Sequence, residues 1–315
     1  MLTNWCNYKC PYCFGIDFMS PKIKAKNMSR ETFTGILNWL EKSEHSFVIH
    51  LMGGEPTLNP DFEWFVSQLL QKEFPVTVFS NLATAKAPEY SEKMKDLPIN
   101  WVVNVNPPDK WNDTQRKNIE SSLTSLGKRA CITFNIMPDS VDDLWAIELT
   151  EKYNLKKEIK VGFVLPTITD SNYHLSDNEY AIVAQKVVNL AIESEKHGMR
   201  LEYECGIPTC AFTAEQLGQL WDSGSPLRSG CFSRLDISPD GDCIYCLPLA
   251  TLVKRHFSSF NSYEEARAWY ETKLAPLRKL EPVRNCNQCN LMSPDKCHGA
   301  CLAKKLIGAH NINIK

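Results

Sequence analysis

The sequence predicts an α/β fold: a partial (β/α)6 barrel with parallel strands over residues 1–200, then a small cysteine-rich module over 201–315. Three observations carry this. Apolar runs of strand length alternate with helical patterns up to about residue 200, as βαβ units do. Beyond that point the periodicity gives way to turn chemistry. Nine of the thirteen cysteines crowd between Cys205 and Cys301, and three more sit near the start in Cys6-Asn7-Tyr8-Lys9-Cys10-Pro11-Tyr12-Cys13.

In chain order, a short first strand runs into Cys6. A helix over 29–43 follows, with Ser29 as its N-cap and Phe33, Ile36, Leu37 and Leu40 as its buried stripe. The apolar run 47–51 reads as a strand that delivers Met52-Gly53-Gly54-Glu55-Pro56. Asn59 caps the next helix, Pro60 takes its first position, and Phe62, Phe65, Val66 and Leu69 form its buried face. Strands follow at 75–80, 101–106, 131–137 and 160–165, and helices at 88–96, 112–126, 141–153 and 177–197. In barrels of this kind chemistry collects at the C-terminal ends of the strands, where Cys6, Gly53, Ser80 and Asn104 fall. Asn104 and Asn106 alternate in an apolar strand, so both point into the barrel.

Composition narrows the function. Hydrophobic content of 43% and charged content of 23% are ordinary for a globular protein. A formal net charge of -2 carries no basic bias toward nucleic acid. No apolar run approaches the ~18 residues a membrane helix needs, and the residues before Cys6 are too few for a signal peptide. A cytoplasmic protein is therefore expected. Thirteen cysteines are then too many without metal clusters. The histidines, His45, His50 and His174 among them, lack metal-ligand spacing.

Cys6, Cys10 and Cys13 can grip one cluster as thiolates, one short of the four that close a cubane or a structural zinc site. The C-x3-C-x2-C spacing, with Tyr12 before the last cysteine, resembles the signature of the radical S-adenosylmethionine (radical SAM) superfamily. Met52-Gly53-Gly54-Glu55-Pro56 resembles its GGEP motif. The resemblance implies a [4Fe–4S] cluster on Cys6, Cys10 and Cys13, whose open iron is chelated by S-adenosylmethionine, and reductive cleavage of that cofactor to a 5′-deoxyadenosyl radical. It implies cofactor contacts from Gly53, Gly54, Glu55 and Pro56, with Glu55 accepting from the methionine ammonium. Ser80 and Asn81 would meet the ribose, although polar residues at a strand end are also ordinary turn formers. Asn104 would face the cofactor, and the 162–165 stretch through Leu165 would pack the adenine.

Farther on, Cys231-x9-Gly241-x4-Cys246 and Cys286-x2-Cys289-x7-Cys297-x3-Cys301 resemble the SPASM domain, an auxiliary-cluster module of many radical SAM enzymes. Pro239-Asp240-Gly241 would be the hairpin turn between its strands. The family carries two auxiliary [4Fe–4S] clusters. The first would use Cys210, favoured over Cys205, with Cys231, Cys246 and Cys301. The second would use Cys286, Cys289 and Cys297, and no cysteine follows Cys301 to complete it. Cys243, the spare of Cys205 and Cys210, His298, His310 or an exogenous ligand are the alternatives, as are an open iron and a single auxiliary cluster. Read alone, the last four cysteines also suit a zinc ribbon. Cys131, Cys205 and Cys243 are candidate thiol hydrogen donors.

The resemblance implies a radical SAM oxidoreductase that modifies a ribosomally made peptide by cross-link, thioether, epimerisation or oxidation. An electron donor such as flavodoxin or ferredoxin would serve it, without nucleic acid or membrane. Oxidation or rearrangement of a small molecule such as an amino sugar is the rival. The chain begins at the cluster motif, and Leu247 stands where an Asp typifies protein maturases. A non-enzymatic iron–sulfur or zinc protein leaves the GGEP motif unexplained.

Overall fold

The computed structural model describes residues 1–19, 24, 26–140, 143–169, 172–228, 230–231, 234–280, 286–291, 297–299 and 301–311. Six parallel strands run in sequence order: β1 (Ile49–Leu51), β2 (Val76–Ser80), β3 (Ile99–Asn104), β4 (Ala130–Ile136), β5 (Glu158–Phe163) and β6 (Arg200–Tyr203). The register gives the sheet two different faces. Val78, Trp101, Ile132, Ile159 and Val161 are almost fully buried on one. There the helices Phe62–Gln71, Trp145–Lys152 and Tyr180–Lys196 pack, with Phe62 against Trp101 at 6.2 Å between ring centroids and Phe134 against Trp145 at 4.9 Å. The other face carries His50, Phe79, Asn104, Asn135, Lys160 and Glu202, all at least partly exposed. This is the α/β architecture expected, a partial barrel with a polar lumen.

Local chemistry accounts for the elements. The Ser29 hydroxyl accepts from the Thr32 N–H and starts the helix Arg30–Leu40. Asn112 and Gln115 form a reciprocal capping box at the head of Asp113–Leu126. Two expected elements differ. Residues 1–5 form no ladder strand: Thr3 makes only an isolated antiparallel bridge with Asn27, and the other side of the segment bonds to the loop after β1. The sixth place is filled instead by Arg200–Tyr203, whose period-2 signal is short and whose polar residues face the lumen. The sheet therefore runs on through Tyr203. The helix expected from Asn59 begins at Phe62, and the expected start at 141–142 lies outside the described residues.

A three-stranded antiparallel sheet follows, β7 (Asp236–Ile237), β8 (Asp242–Ile244) and β9 (Lys254–His256). Gly241, at φ +86°, makes the β7–β8 turn, and its N–H donates to the Ser238 carbonyl. The two sheets share one core. Trp39 donates through Nε1 to the Phe260 carbonyl at 2.9 Å, and the same apolar cluster contains Leu249, Phe260 and Tyr270.

Candidate active site and metal centres

The backbone leading to Cys6 lies directly on the loop that follows β1. The Leu2 N–H donates to the Met52 carbonyl (2.7 Å), the Gly54 N–H to Thr3 (2.9 Å) and the Glu55 N–H to Trp5 (2.8 Å). A Cβ on Gly53 would stand 2.3 Å from the Thr3 oxygen, and one on Gly54 2.1 Å from the Trp5 oxygen. Both glycines are thus required for this backbone contact, where the sequence suggested close approach to a ligand. Asn59, fully buried, donates to the Leu2 and Met28 carbonyls and accepts from the Asp61 N–H. It fastens the same segment rather than capping a helix.

Glu55 is held by the protein itself. Its carboxylate is turned into the protein and accepts from the Thr57 N–H and hydroxyl, the Ser80 hydroxyl and the Asn81 N–H, at 2.7–3.1 Å. It caps the short turn Pro56–Leu58, in which Pro56 is buried. Burial pushes its pKa up, and the four donors oppose that shift. A carboxylate so placed orders the loop, with three donors on Oε1 and the Asn81 N–H alone on Oε2. Ser80 is committed too, since it also accepts from the Leu82 N–H. Its hydroxyl faces Glu55 rather than a sugar. Asn81 turns toward the cysteine loop, with Nδ2 2.8 Å from the Asn7 side-chain oxygen and 3.9 Å from the Cys6 sulfur.

Cys6, Cys10 and Cys13 are half-buried thiols on one loop. Burial pushes Cys6 up to about 12, with the negative charges of Glu55, Cys10 and Cys13 adding to it, and burial raises Cys10 and Cys13 as well. Binding to iron would displace those protons. The Tyr8 hydroxyl, next to Cys6, Cys10 and Glu55, is buried without a hydrogen-bond partner among the described residues. Three thiols that lack a fourth, beside an orphaned hydroxyl, fit a cluster with a further ligand against it. Among the described residues no three Cys, His, Asp or Glu side chains converge on a single-ion site. A cubane cluster carries each thiolate on its own iron and needs no such convergence.

Two further contacts hold the loop, and their pairing was not legible from the sequence. The Tyr12 hydroxyl donates to the Asn106 side-chain oxygen at 2.5 Å, beyond the end of β3. Asn172 donates to the Tyr12 and Leu165 carbonyls and accepts from the Thr167 N–H. Leu165 is buried, and a Cβ on Gly206 would collide with its side chain. Asn104 is exposed at the top of the lumen face.

The C-terminal cysteines sort differently from expectation. Cys246 is pushed up by burial and then by the charges of Cys301, Cys231 and Cys205, so these four are neighbours. Cys205, not Cys210, joins Cys231. Cys210 instead lines a cavity with Cys286, Cys289 and Cys297. Cys243 lies in β8, fully buried, where the Tyr270 hydroxyl donates to its carbonyl. Burial pushes it up to about 12, and it belongs to neither group. Cys131 is the second residue of β4, at the end of the sheet away from Cys6 and Gly53. His298 accepts at Nδ1 from the Cys231 N–H, and the side chain of His310 lies outside the described residues.

Residues 1–107 match the model of the radical SAM superfamily. A radical SAM domain therefore spans residues 1–107. No curated protein matches it by sequence. Among solved structures, native anSMEcpe with bound AdoMet and Kp18Cys peptide is 16% identical with a TM-score of 0.66, over 94% of this chain and 86% of that one. Streptococcus suis SuiB bound to precursor peptide SuiA is 13% identical with a TM-score of 0.66, over 96% and 70%. The cofactors of a radical SAM domain, a [4Fe–4S] cluster and S-adenosylmethionine, fit the three-thiol loop and its orphaned hydroxyl. Among the described residues no helix is long and apolar enough to cross a membrane.

Proposed function

We propose that this chain is a radical SAM enzyme that modifies a peptide, with a catalytic barrel that runs on through Tyr203, past the expected boundary at 200, and an auxiliary-cluster unit of SPASM type after it. The observation that carries the reading is the docking of the Cys6–Cys13 loop on the Gly53-Gly54-Glu55 loop, each made to fit the other's backbone. Cys6, Cys10 and Cys13 would hold the radical cluster. When bound, that cluster and S-adenosylmethionine supply a 5′-deoxyadenosyl radical able to take hydrogen from an unactivated C–H bond. The chain's own residues bind and orient. Glu55, Ser80 and Thr57 stiffen the loop, Tyr8 offers the cofactor a hydroxyl, and Asn104, Thr133, Asn135, Lys160 and Glu202 give the lumen its polar surface.

Cys205, Cys231, Cys246 and Cys301 would hold a first auxiliary cluster. Peptide as substrate class is supported by the fold shared with anSMEcpe and SuiB, whose structures hold peptides. A small reduced electron carrier would supply the electron. The test is anaerobic co-expression with short peptides encoded beside this gene, read by mass spectrometry, together with deoxyadenosine formation in vitro. A mass change in one peptide that requires Cys6 is expected. Deoxyadenosine formation that responds to a small metabolite but to none of the peptides would overturn the substrate class and leave the radical chemistry standing.

A further inference from the structure

Cys210, Cys286, Cys289 and Cys297 line one cavity, whose wall Pro208, Leu291 and Gly299 complete. Local structure fixes each contributor. Cys210 is the middle residue of the 3-10 turn Thr209–Ala211, which is pinned by hydrogen bonds to Pro208 and Thr209 and by the buried Phe212. Cys286 opens the 3-10 turn Cys286–Gln288 and Cys289 follows it, its N–H donating to the Cys286 carbonyl at 3.1 Å. Cys297 is buried, and its sulfur accepts from the Gly299 N–H at 3.4 Å.

A second observation points to an anion in the same place. Lys305 is 1% exposed, and its ammonium donates to the Arg278 carbonyl at 2.9 Å. Burial lowers the Lys305 pKa, and nearby Cys286, Cys231 and Cys297, as thiolates, oppose that shift, while Arg278 is a second cation. A buried ammonium needs an anion. Thiolate-ligated clusters beside Lys305 would supply one.

We propose that Cys210 closes a second auxiliary [4Fe–4S] centre, with Cys286, Cys289 and Cys297 as its other ligands and Lys305 as the buried counter-cation beside the two centres. This rests on the auxiliary-cluster reading above. The fourth ligand, which the sequence pattern left missing after Cys301, comes from upstream. The segments 205–210 and 297–301 then each send one thiol to each centre. With four thiolates apiece, neither auxiliary centre has an iron open to substrate.

The test uses the full chain, reconstituted anaerobically, with iron content and the EPR spectrum of the reduced protein as readouts. Added S-adenosylmethionine marks the signal of the radical cluster. The parent should hold about twelve irons, four for each cluster. Cys210→Ala and Cys289→Ala should each lose up to about four irons and alter the same auxiliary signal, and the double variant should lose no more. Cys205→Ala, on the same segment, should instead alter the signal that Cys246→Ala alters, which separates ligation from a folding defect. Lys305→Met should keep the iron and shift the auxiliary potentials to more negative values. Unchanged iron and spectrum in Cys210→Ala, or an effect shared with Cys246→Ala, would overturn the assignment. A parent with only about four irons, or with zinc in the C-terminal unit, would overturn the auxiliary reading before any variant is made.

Discussion

Cys6, Cys10 and Cys13 lie on one loop, whereas eight of the nine cysteines beyond residue 200 reach their neighbours from five separate stretches, at 205–210, 231, 246, 286–289 and 297–301. The first set needs little more than its own spacing and a clamp from the 53–55 loop. The others depend on the path of the whole C-terminal third, and one buried lysine lies among thiols of both groups. Three cysteines on a short loop announce themselves in sequence, while ligand sets drawn from distant segments are sorted only by the fold. The two regions should therefore fail independently when a ligand is lost.

The largest effect tests that independence. Replacing Cys6, Cys10 and Cys13 together by Ala should abolish deoxyadenosine formation and leave the C-terminal iron in place. Loss of all iron in the triple variant would mean the auxiliary unit assembles only on an intact radical cluster. Gly54→Ala comes next. Its new methyl would stand 2.1 Å from the Trp5 oxygen, so the cysteine loop must move away from the 53–55 loop. Overpacking of this kind costs about 1–3 kcal/mol. The urea midpoint should fall accordingly, and the radical cluster should be lost or become unresponsive to S-adenosylmethionine. A variant of unchanged midpoint and activity would remove the clamp from the account.

Much of the barrel was legible because strand and helix periods are local properties. The stripe of Phe62, Phe65, Val66 and Leu69, the Ser29 cap and the Gly241 turn all follow from neighbours within a few residues. Arg200–Tyr203 was missed because a four-residue strand with a polar lumen face leaves only Leu201 and Tyr203 as an apolar signal. Side-chain direction was the harder matter. That Glu55 and Ser80 face each other, or that Asn172 grips the cysteine loop, depends on pairs far apart in sequence. The choice between Cys205 and Cys210 was equally closed to spacing, since either reaches the C-terminal region.

The continuous core joining the two sheets limits the independence argued above, and His50 measures the limit. It lies on the lumen face of β1, against the Phe79 ring at 5.1 Å. Burial, with Arg234 and Lys160 nearby, lowers its pKa to about 4 from 6.5. As pH falls from 6.5 toward 4 the unfolded chain takes up a proton that the folded chain refuses, so stability falls with pH in that window. The loss between pH 7 and pH 5 should be about 2 kcal/mol. His50→Gln should remove that part of the slope. Because the core is shared, the loss should appear in one transition seen by both barrel and C-terminal tryptophans. Two separate midpoints, with only the barrel's sensitive to acid, would divide the molecule into independent folding units.

The smallest expected effect comes from Tyr12→Phe, and it bears on how far the cysteine loop is held by itself. The Tyr12 hydroxyl donates to the Asn106 side-chain oxygen beyond β3, the side of the loop opposite the Gly53–Gly54 contact. Removing the hydroxyl deletes the bond to Asn106, worth about 1 kcal/mol, and its contact with the Cys10 thiol. The ring stays, and Asn172 still holds the Tyr12 carbonyl. The loop should therefore keep its cluster, and S-adenosylmethionine should bind a few-fold more weakly, since 1.4 kcal/mol is about tenfold. Titration of the reconstituted variant reads that shift, and the auxiliary EPR signals serve as an internal reference that should not move. Complete loss of the radical cluster on so small a change would show that the lumen wall, rather than the 53–55 clamp, fixes Cys6, Cys10 and Cys13, and the contrast between a self-sufficient loop and a fold-dependent module would fall with it.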